Sequence, residues 1–275
     1  MDIVKRTRFA PSPTGYLHTG NAYSALWCAQ WAKKHHAELV LRIEDIDFNR
    51  CRPEFATQIL DDLAWLGISF EGEVVYQQQR LHFYQQALDK LMQLDVLYPC
   101  FCSRKKIREA HEQGASNSKL KLDHYPYTCR HLTLTQREKM GDTPFSWRLN
   151  QDKVVSLLGQ TLFWTNSDGQ KSMFDITSLG DVVIGRKDIT FSYHLSVVVD
   201  DFLQGITHII RGEDLLESTA IHIILQRLLA YSHPVYQHHP LLTDETGQRL
   251  AKSKQSISLK ALRESGIAAA DIFSQ

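Results

Sequence analysis

The sequence predicts an α/β fold in which a parallel sheet is built in two halves and split by an insertion. Three observations lead there. The chain opens on a strand-like run, a Pro/Gly turn and a helical pattern in immediate succession. Two further apolar runs, 38–43 and 206–210, each end in a polar cluster, as strands of a parallel sheet do where they reach a ligand crevice. Between them, residues 145–184 break into short strand-like pieces that suit an insertion better than the sheet.

Composition sets the bounds. At 275 residues the chain can hold one large domain or two ordinary ones. With 43% hydrophobic and 10% aromatic residues it can build a substantial core, which excludes a disordered chain. Lys+Arg equals Asp+Glu at 31 each, so any nucleic-acid contact must come from a local basic surface. No run of 18 apolar residues and no signal-like start is present, so a cytoplasmic protein without a membrane partner is expected. Five cysteines are odd in number and sparse, which argues against a disulfide framework.

Residues 7–10 read as the first strand. Pro11, Pro13 and Gly15 then force an extended turn, because proline fixes φ and cannot continue a ladder. From Ala22 the spacing turns helical, through Ala25, Leu26, Ala29, Trp31 and Ala32. A strand feeding a helix N-terminus offers free N–H groups and a favourable dipole to a phosphate. His18 can donate to phosphate oxygens, and Gly20 lets a bulky ligand approach the backbone. An ordinary βα turn carries the same features. The 38–43 strand ends in Glu44, Asp45 and Asp47; Glu44 could pair with an ammonium group, or the cluster could be a solvated acidic loop. Pro53 starts a helix to Leu66, which Gly67 stops, and residues 80–94 form another.

Three of the five cysteines, Cys100, Cys102 and Cys129, fall in one basic, polar segment. Three thiolates need a fourth ligand for a tetrahedral zinc site, and His124, Tyr125 and His131 are the candidates. Unligated thiols are the plain alternative. Residues 116–122 read as a polar loop. Lys105, Lys106, Arg108, Lys119, Lys121 and Arg130 could touch an RNA backbone or form a solvated face. Strand-like runs follow at 145–149, 161–164 and 182–184. The second half of the fold resumes near Ser192. Tyr193 could reach a substrate or sit in the core. The strand at 206–210 delivers Arg211, where a guanidinium can fork onto a carboxylate or pair with Glu213 or Asp214. A helix over 218–229 follows. Near the end, Gly247 flanks a lysine-bearing loop that could close over a triphosphate.

The string Arg8-Phe9-Ala10-Pro11-Ser12-Pro13-Thr14-Gly15-x-Leu17-His18-x-Gly20 resembles the opening of the glutamyl-tRNA synthetases, whose last four positions form the HIGH signature of class I synthetases. Here those four are His18-Thr19-Gly20-Asn21, with Asn in place of the final His. Leu41-Arg42-Ile43-Glu44-Asp45-Ile46-Asp47 is similar to the family's motif whose glutamate contacts the amino acid's amino group. Tyr193 and Arg211-Gly212-Glu213-Asp214-Leu215 match its glutamate-binding residues. Arg249-Leu250-Ala251-Lys252-Ser253 resembles the KMSKS signature, with Arg for the leading Lys and Ala for the first Ser. Cys100-x-Cys102 with Tyr125-x-x-x-Cys129 looks like the metal site of the glutamyl-queuosine tRNA(Asp) synthetases, which use tyrosine as the fourth ligand.

The resemblance implies a class I synthetase-like Rossmann (HUP-type) parallel sheet split by a zinc-containing insertion. Its halves are expected at 1–97 and 185–248. The insertion, with one structural Zn²⁺ on Cys100, Cys102, Tyr125 and Cys129 and the acceptor-binding region, is expected at 98–184. The KMSKS-like loop and a short tail occupy 249–275. Only 22 residues follow Ser253, so no anticodon-binding domain is expected. The implied function is ATP-dependent, tRNA-independent activation of L-glutamate, then its transfer to the queuosine base in the anticodon of tRNA(Asp), by a monomeric enzyme using Mg²⁺ with ATP. Arg8, Ala10, Ser12, Glu44, Tyr193 and Arg211 are the implied glutamate-binding residues. His18, Gly20, Asn21, Lys252 and Ser253 are the implied ATP-binding ones, with His18 and Lys252 stabilising the transition state. Three other readings stay open. They are a truncated glutamyl-tRNA synthetase acting at a tRNA 3′ end, a small-molecule adenylyltransferase, and a non-enzymatic zinc RNA-binding module.

Overall fold

Strand β1 (Arg6–Phe9) enters the 10–18 turn and helix α1 (Thr19–His35). The structure, a computed structural model, describes residues 4–112, 125–243 and 257–272. Strand β2 (Glu38–Ile43) runs parallel to β1, with Arg8 opposite Val40. Helix α2 (Pro53–Trp65) places Pro53 in its first turn, where a missing N–H leaves no bond unmade. Strand β3 (Val75–Tyr76) pairs parallel with the end of β2, and a 3₁₀ turn at 77–80 leads into α3 (Leu81–Gln93).

The chain then leaves the parallel sheet. Strand β4 (Leu97–Cys100), helices α4 (Arg104–Glu112) and α5 (Leu134–Glu138), strand β5 (Ser146–Leu149) and helix α6 (Gln151–Leu158) come first. Strands β6 (Thr161–Thr165), β7 (Lys171–Asp175), β8 (Val183–Arg186) and β9 (Thr190–Phe191) follow. Here β4-β5-β8-β9 make an antiparallel sheet, and β6 and β7 form a separate hairpin. Asp181 ties this region together. It accepts hydrogen bonds from Tyr98 at 2.5 Å, from the Arg130 Nε at 2.7 Å and from the Gln151 amide at 3.0 Å.

The chain returns through α7 (Tyr193–Leu203), whose cap Ser192 accepts a hydrogen bond from the Leu195 amide. Strand β10 (His208–Gly212), α8 (Leu216–Leu229), β11 (Val235–His239) and α9 (Leu259–Glu264) complete the described fold. The 206–210 run forms its strand two residues later than its apolar residues suggest. The reason is that the Ile206 amide is committed to the Asp201 carbonyl, closing the end of α7 at 2.8 Å.

Strands β10 and β11 pair parallel, and β10 lies beside β1. The Thr207 amide donates to the Arg6 carbonyl at 3.0 Å. Cys28 of α1 spans the two strands, its Sγ 3.6 Å from the Arg8 carbonyl oxygen and 3.5 Å from that of Ile210. The strands thus lie in the order β3-β2-β1-β10-β11. The chain moves outward one way from β1 and later returns on its other side, which opens a crevice at the carboxyl ends of β1 and β10.

Alternation along the strands divides the two faces. Phe9, Leu39, Leu41, Ile43 and Ile210 pack with α1, α2 and Leu259 of α9. Arg8, Arg42 and Arg211 belong to the opposite face, with Val40 and Ile209. Arg42 is wholly enclosed there. It donates to Asp201 at 2.8 Å, to the Gln204 amide oxygen at 2.7 Å and to Glu44 at 3.1 Å, and lies 3.9 Å from Asp200. Asp200 also accepts from Arg80 at 2.6 Å, Tyr84 at 2.8 Å and Gln77 at 2.9 Å. One cation therefore joins β2 to α7 through buried carboxylates, two of which it shares with other arginines, Asp200 with Arg80 and Asp201 with Arg8.

Arg42→Met is expected to lower stability by about 3–5 kcal/mol, the cost of leaving buried charges unpaired. Urea unfolding measures it; a loss below about 1 kcal/mol, the size of an exposed ion pair, would contradict this role.

Candidate active site

The turn after β1 builds the first wall. His18 is the N-cap of α1: its Nδ1 accepts from the Gly20 amide at 3.1 Å, and its own amide donates to the Asn21 Oδ1 at 3.0 Å. Asn21, the departure from the signature, thus closes a reciprocal cap on the helix start. Gly20 is needed because a Cβ there would lie 2.9 Å from the His18 ring. The group that approaches this backbone is the protein's own imidazole, folded over the helix N-terminus. Burial lowers the His18 pKa from its ordinary value.

A cavity of about 500 Å³ lies at the carboxyl ends of β1 and β10. Arg8, Ala10, Ser12, Asn21, Glu44, Tyr193 and Arg211 all line it, so residues drawn from five separate stretches of sequence meet there. A second cavity of about 190 Å³ is lined by His18, Gly20, Asn21, Ser24, Asp214 and His239. Asn21, Ser24 and Asp214 border both. Asp214 reaches this position because Gly212 lacks a side chain; a Cβ there would lie 2.5 Å from its Oδ1. Lys252 and Ser253 lie outside the described residues. The segment beyond them returns to the same turn: Ser258 forms a β-bridge with His18, and the Leu259 amide donates to the Leu17 carbonyl at 2.8 Å.

The two arginines of the larger cavity differ in their electrostatics. Arg8 donates to both Asp201 oxygens, from Nε at 2.9 Å and from Nη2 at 3.3 Å. Burial alone would raise the Asp201 carboxyl, but Arg8 and Arg42 hold it below the usual carboxylate range. Arg211 is held instead by neutral acceptors: Thr219 Oγ1 at 2.7 Å, the Leu215 carbonyl at 3.2 Å and the His222 Nδ1 at 3.2 Å. Its Nε is buried with no hydrogen-bond partner among the described residues. Glu44 is the acidic counterpart. Burial pushes its carboxyl up, against the pull of Arg42 and Arg8. Burial also pushes the Tyr193 hydroxyl up to about 12, so it stays protonated. The site can therefore take a carboxylate at Arg211 and a cation at Glu44.

Sequence reasoning did not assign Arg42, Asp201, Thr219, His194, His222 or His238 to the site. Arg42 stands inside a quoted string, but nothing in the sequence says that it meets Asp200 and Asp201, so far along the chain. Arg130, offered above as an RNA contact, is instead spent on Asp181 and Asp152 and stacks over Tyr127 at 4.1 Å.

The cysteine segment closes up as its spacing implies. The Sγ atoms of Cys100, Cys102 and Cys129 all lie within 4.8 Å of one another, with Cys102 and Cys129 at 3.5 Å. Ligands of a tetrahedral zinc thiolate site stand about 3.8 Å apart, so the three sulfurs fit one ion. The Tyr125 hydroxyl is 3.8 Å from the Cys102 sulfur and accepts from the Cys129 amide at 2.7 Å. The Arg148 guanidinium lies 3.9 Å from the Tyr125 ring centre. A hydrogen bond from Cys102, opposed by burial, holds the Cys100 thiol well below its usual range. His131 is exposed, and His124 lies outside the described residues, as do residues 116–122 with Lys119 and Lys121.

The parallel sheet with its crevice and interrupting insertion makes an α/β fold of the class I synthetase type. Residues 4–274 match the family model described as tRNA synthetases class I (E and Q), catalytic domain. The chain is 41% identical to the glutamyl-Q tRNA(Asp) synthetase of Rhodobacter capsulatus, over 97% of both chains. It is 40% identical to the enzyme of that name from Nitratidesulfovibrio vulgaris, over 97% of this chain and 83% of the other. Among solved structures, it matches a glutamate tRNA ligase from Elizabethkingia meningosepticum in complex with its amino acid. The TM-score there is 0.75 at 26% identity, over 95% of this chain. The chain spans about half the length of that solved structure, 53% of it. The chain therefore belongs to the class I tRNA synthetases of the E and Q type, and within them to the family of the glutamyl-Q tRNA(Asp) synthetases; it is a ligase. No described helix is long and apolar enough to cross a membrane.

The buried histidines give the site a pH dependence. Burial first, and Arg211 second, lowers His194 and His238 to about 4 and His222 well below its ordinary value of 6.5. The unfolded chain then binds more protons than the folded one between about pH 4 and 6.5, so stability falls as the pH drops through that window. Urea midpoints at pH 7, 6 and 5 are expected to decline, and His194→Asn is expected to flatten the decline. A flat wild-type profile would refute this account.

Proposed function

We propose that the chain activates L-glutamate with ATP, without tRNA, and then transfers the glutamate to the queuosine base in the anticodon of tRNA(Asp). The observation that carries the first step is a single cavity beside the His18 turn that holds a carboxylate receptor, Arg211, and an acidic group, Glu44. The acceptor is taken from the names of the relatives.

In this reading Arg211 receives a glutamate carboxylate. Arg8 adds positive potential and, with Ala10 and Ser12, shapes the wall. Glu44 receives the ammonium, and Tyr193 donates from its hydroxyl. An oxygen of the α-carboxylate attacks the α-phosphorus of ATP, the bond to pyrophosphate breaks, and glutamyl-adenylate remains. No protein nucleophile takes part; the residues position reactants and stabilise charge. His18, Gly20, Asn21 and the N-terminus of α1 hold the phosphates, with Lys252 and Ser253 closing over them. Mg²⁺ enters as part of the ATP substrate. A hydroxyl of the modified base then attacks the acyl carbon and AMP leaves.

Cys100, Cys102, Tyr125 and Cys129 are the proposed ligands of one structural Zn²⁺, which would tie the turn at Tyr125–Cys129 to the end of β4. The 1–97 and 185–248 segments form the catalytic sheet of this reading, 98–184 the zinc and acceptor-binding insertion, and 249–275 the phosphate loop and tail. The protein is proposed to act as a cytoplasmic monomer.

Glutamate-dependent ATP–pyrophosphate exchange is expected with no RNA present. A strict tRNA requirement would favour an ordinary glutamyl-tRNA synthetase. Labelled glutamate should then attach to queuosine-containing tRNA and not to queuosine-free tRNA; equal labelling of both would remove the proposed acceptor. For the metal, purified protein is expected to carry about one zinc and Cys129→Ser to lose it. Active wild-type protein free of zinc would remove the site, and zinc retained by Tyr125→Phe would remove Tyr125 from it.

A further inference from the structure

We propose that His222, behind the cavity wall, is a positioning residue that aims Arg211 into the cavity by accepting its hydrogen bond as a neutral imidazole. The proposal rests on the reading of Arg211 as the receptor for a glutamate carboxylate.

The argument starts from the donor inventory. A guanidinium has only N–H donors. The Arg211 Nη1 lies 3.2 Å from the His222 Nδ1, so Nδ1 must present its lone pair and the ring proton must sit on Nε2. The Nε2 in turn lies 3.2 Å from the His194 Nδ1, which must therefore accept. Hydrogen bonds then run one way, from Arg211 through His222 to His194, and each tautomer is dictated by the one before it. The other arm of the fork, Nη2, is held by Thr219 Oγ1 and the Leu215 carbonyl. His222 and Thr219 are both buried, so neither bond is traded for water.

Neutrality is the useful property of this cradle. A carboxylate in the place of His222 would fix the guanidinium equally well, but would cancel the charge that has to meet the ligand. Arg8 illustrates that alternative, since Asp201 takes up two of its donors. A neutral imidazole fixes Arg211 and leaves its charge to the cavity. The Nε is buried with no hydrogen-bond partner among the described residues, so the fork is held there through its two Nη atoms alone.

The test compares two substitutions by ATP–pyrophosphate exchange, with thermal unfolding to establish that each variant is folded. His222→Gln keeps an acceptor for Arg211 and a donor for His194; His222→Leu keeps neither. His222→Leu is expected to raise the glutamate KM roughly 10–100-fold, the effect of losing a buried hydrogen bond to a charged group, with kcat and the ATP KM little changed. His222→Gln is expected to stay within about threefold of wild type. The proposal is overturned if His222→Gln loses as much as His222→Leu, or if the ATP KM rises along with the glutamate KM. Nitrogen NMR of the wild-type histidines tests the same chain of bonds without any variant. A proton on the His222 Nε2 supports it, and one on Nδ1 overturns it. Absence of glutamate-dependent exchange in wild-type protein would instead sink the glutamate reading, while the NMR result would still decide the tautomer.

Discussion

The fold turns on one enclosed cation. Arg42 stands in the middle of a parallel strand, on the face opposite the apolar core, and touches three carboxylates and an amide. A charge so placed is costly unless neighbours compensate it. The compensation here comes from Glu44, the residue just after β2, and from the last turns of α7, through Asp200 and Asp201. This fixes the angle at which α7 crosses the sheet, and with it the position of Tyr193 at the other end of that helix. The same carboxylate that holds Arg42 also holds Arg8. Two cavity walls are thus tied together by Arg42, Asp200 and Asp201, which are not on the cavity lining.

Much of this was legible in the sequence, for physical reasons that differ by element. The 38–43 strand and the Pro53 helix coincide with their readings, because an apolar run and a first-turn proline are local signals that no tertiary contact overrides here. The stretch from 193 to 203 was not assigned. Val197-Val198-Val199 suits a strand as well as a buried helix, and such short apolar runs cannot be told apart by periodicity alone. Ser192 as a cap was the available signal. The site's residues were named from motifs, and the structure brings Arg8, Glu44, Tyr193 and Arg211 to one cavity. The network behind them was not legible, since partners 159 residues apart, such as Arg42 and Asp201, share no local pattern.

Asn21 is instructive about motif departures. Against the signature it looks like a lost phosphate contact. In the structure its side chain accepts from the His18 amide, a helix-capping bond that asparagine makes well. The substitution trades an aromatic donor for a rigid helix start, and the helix start is itself the anion-binding feature. In the proposed reading, the turn would still offer a phosphate its helix start, now secured by the Asn21 cap.

Charge accounting in the larger cavity narrows what can bind there. Arg8 is neutralised by Asp201 and contributes shape and a residual potential. Arg211 is hydrogen-bonded by neutral groups, and Asp214 is a further carboxylate on the lining of the same cavity. Glu44 is shared with Arg42, and burial pushes its carboxyl up against the pull of Arg42 and Arg8. A ligand with a carboxylate at one end and an ammonium at the other relieves both at once. A neutral or purely cationic ligand would leave Arg211 desolvated without a partner, at a cost that binding elsewhere would have to offset. The cavity is thus selective through what it leaves unpaired as much as through what it offers.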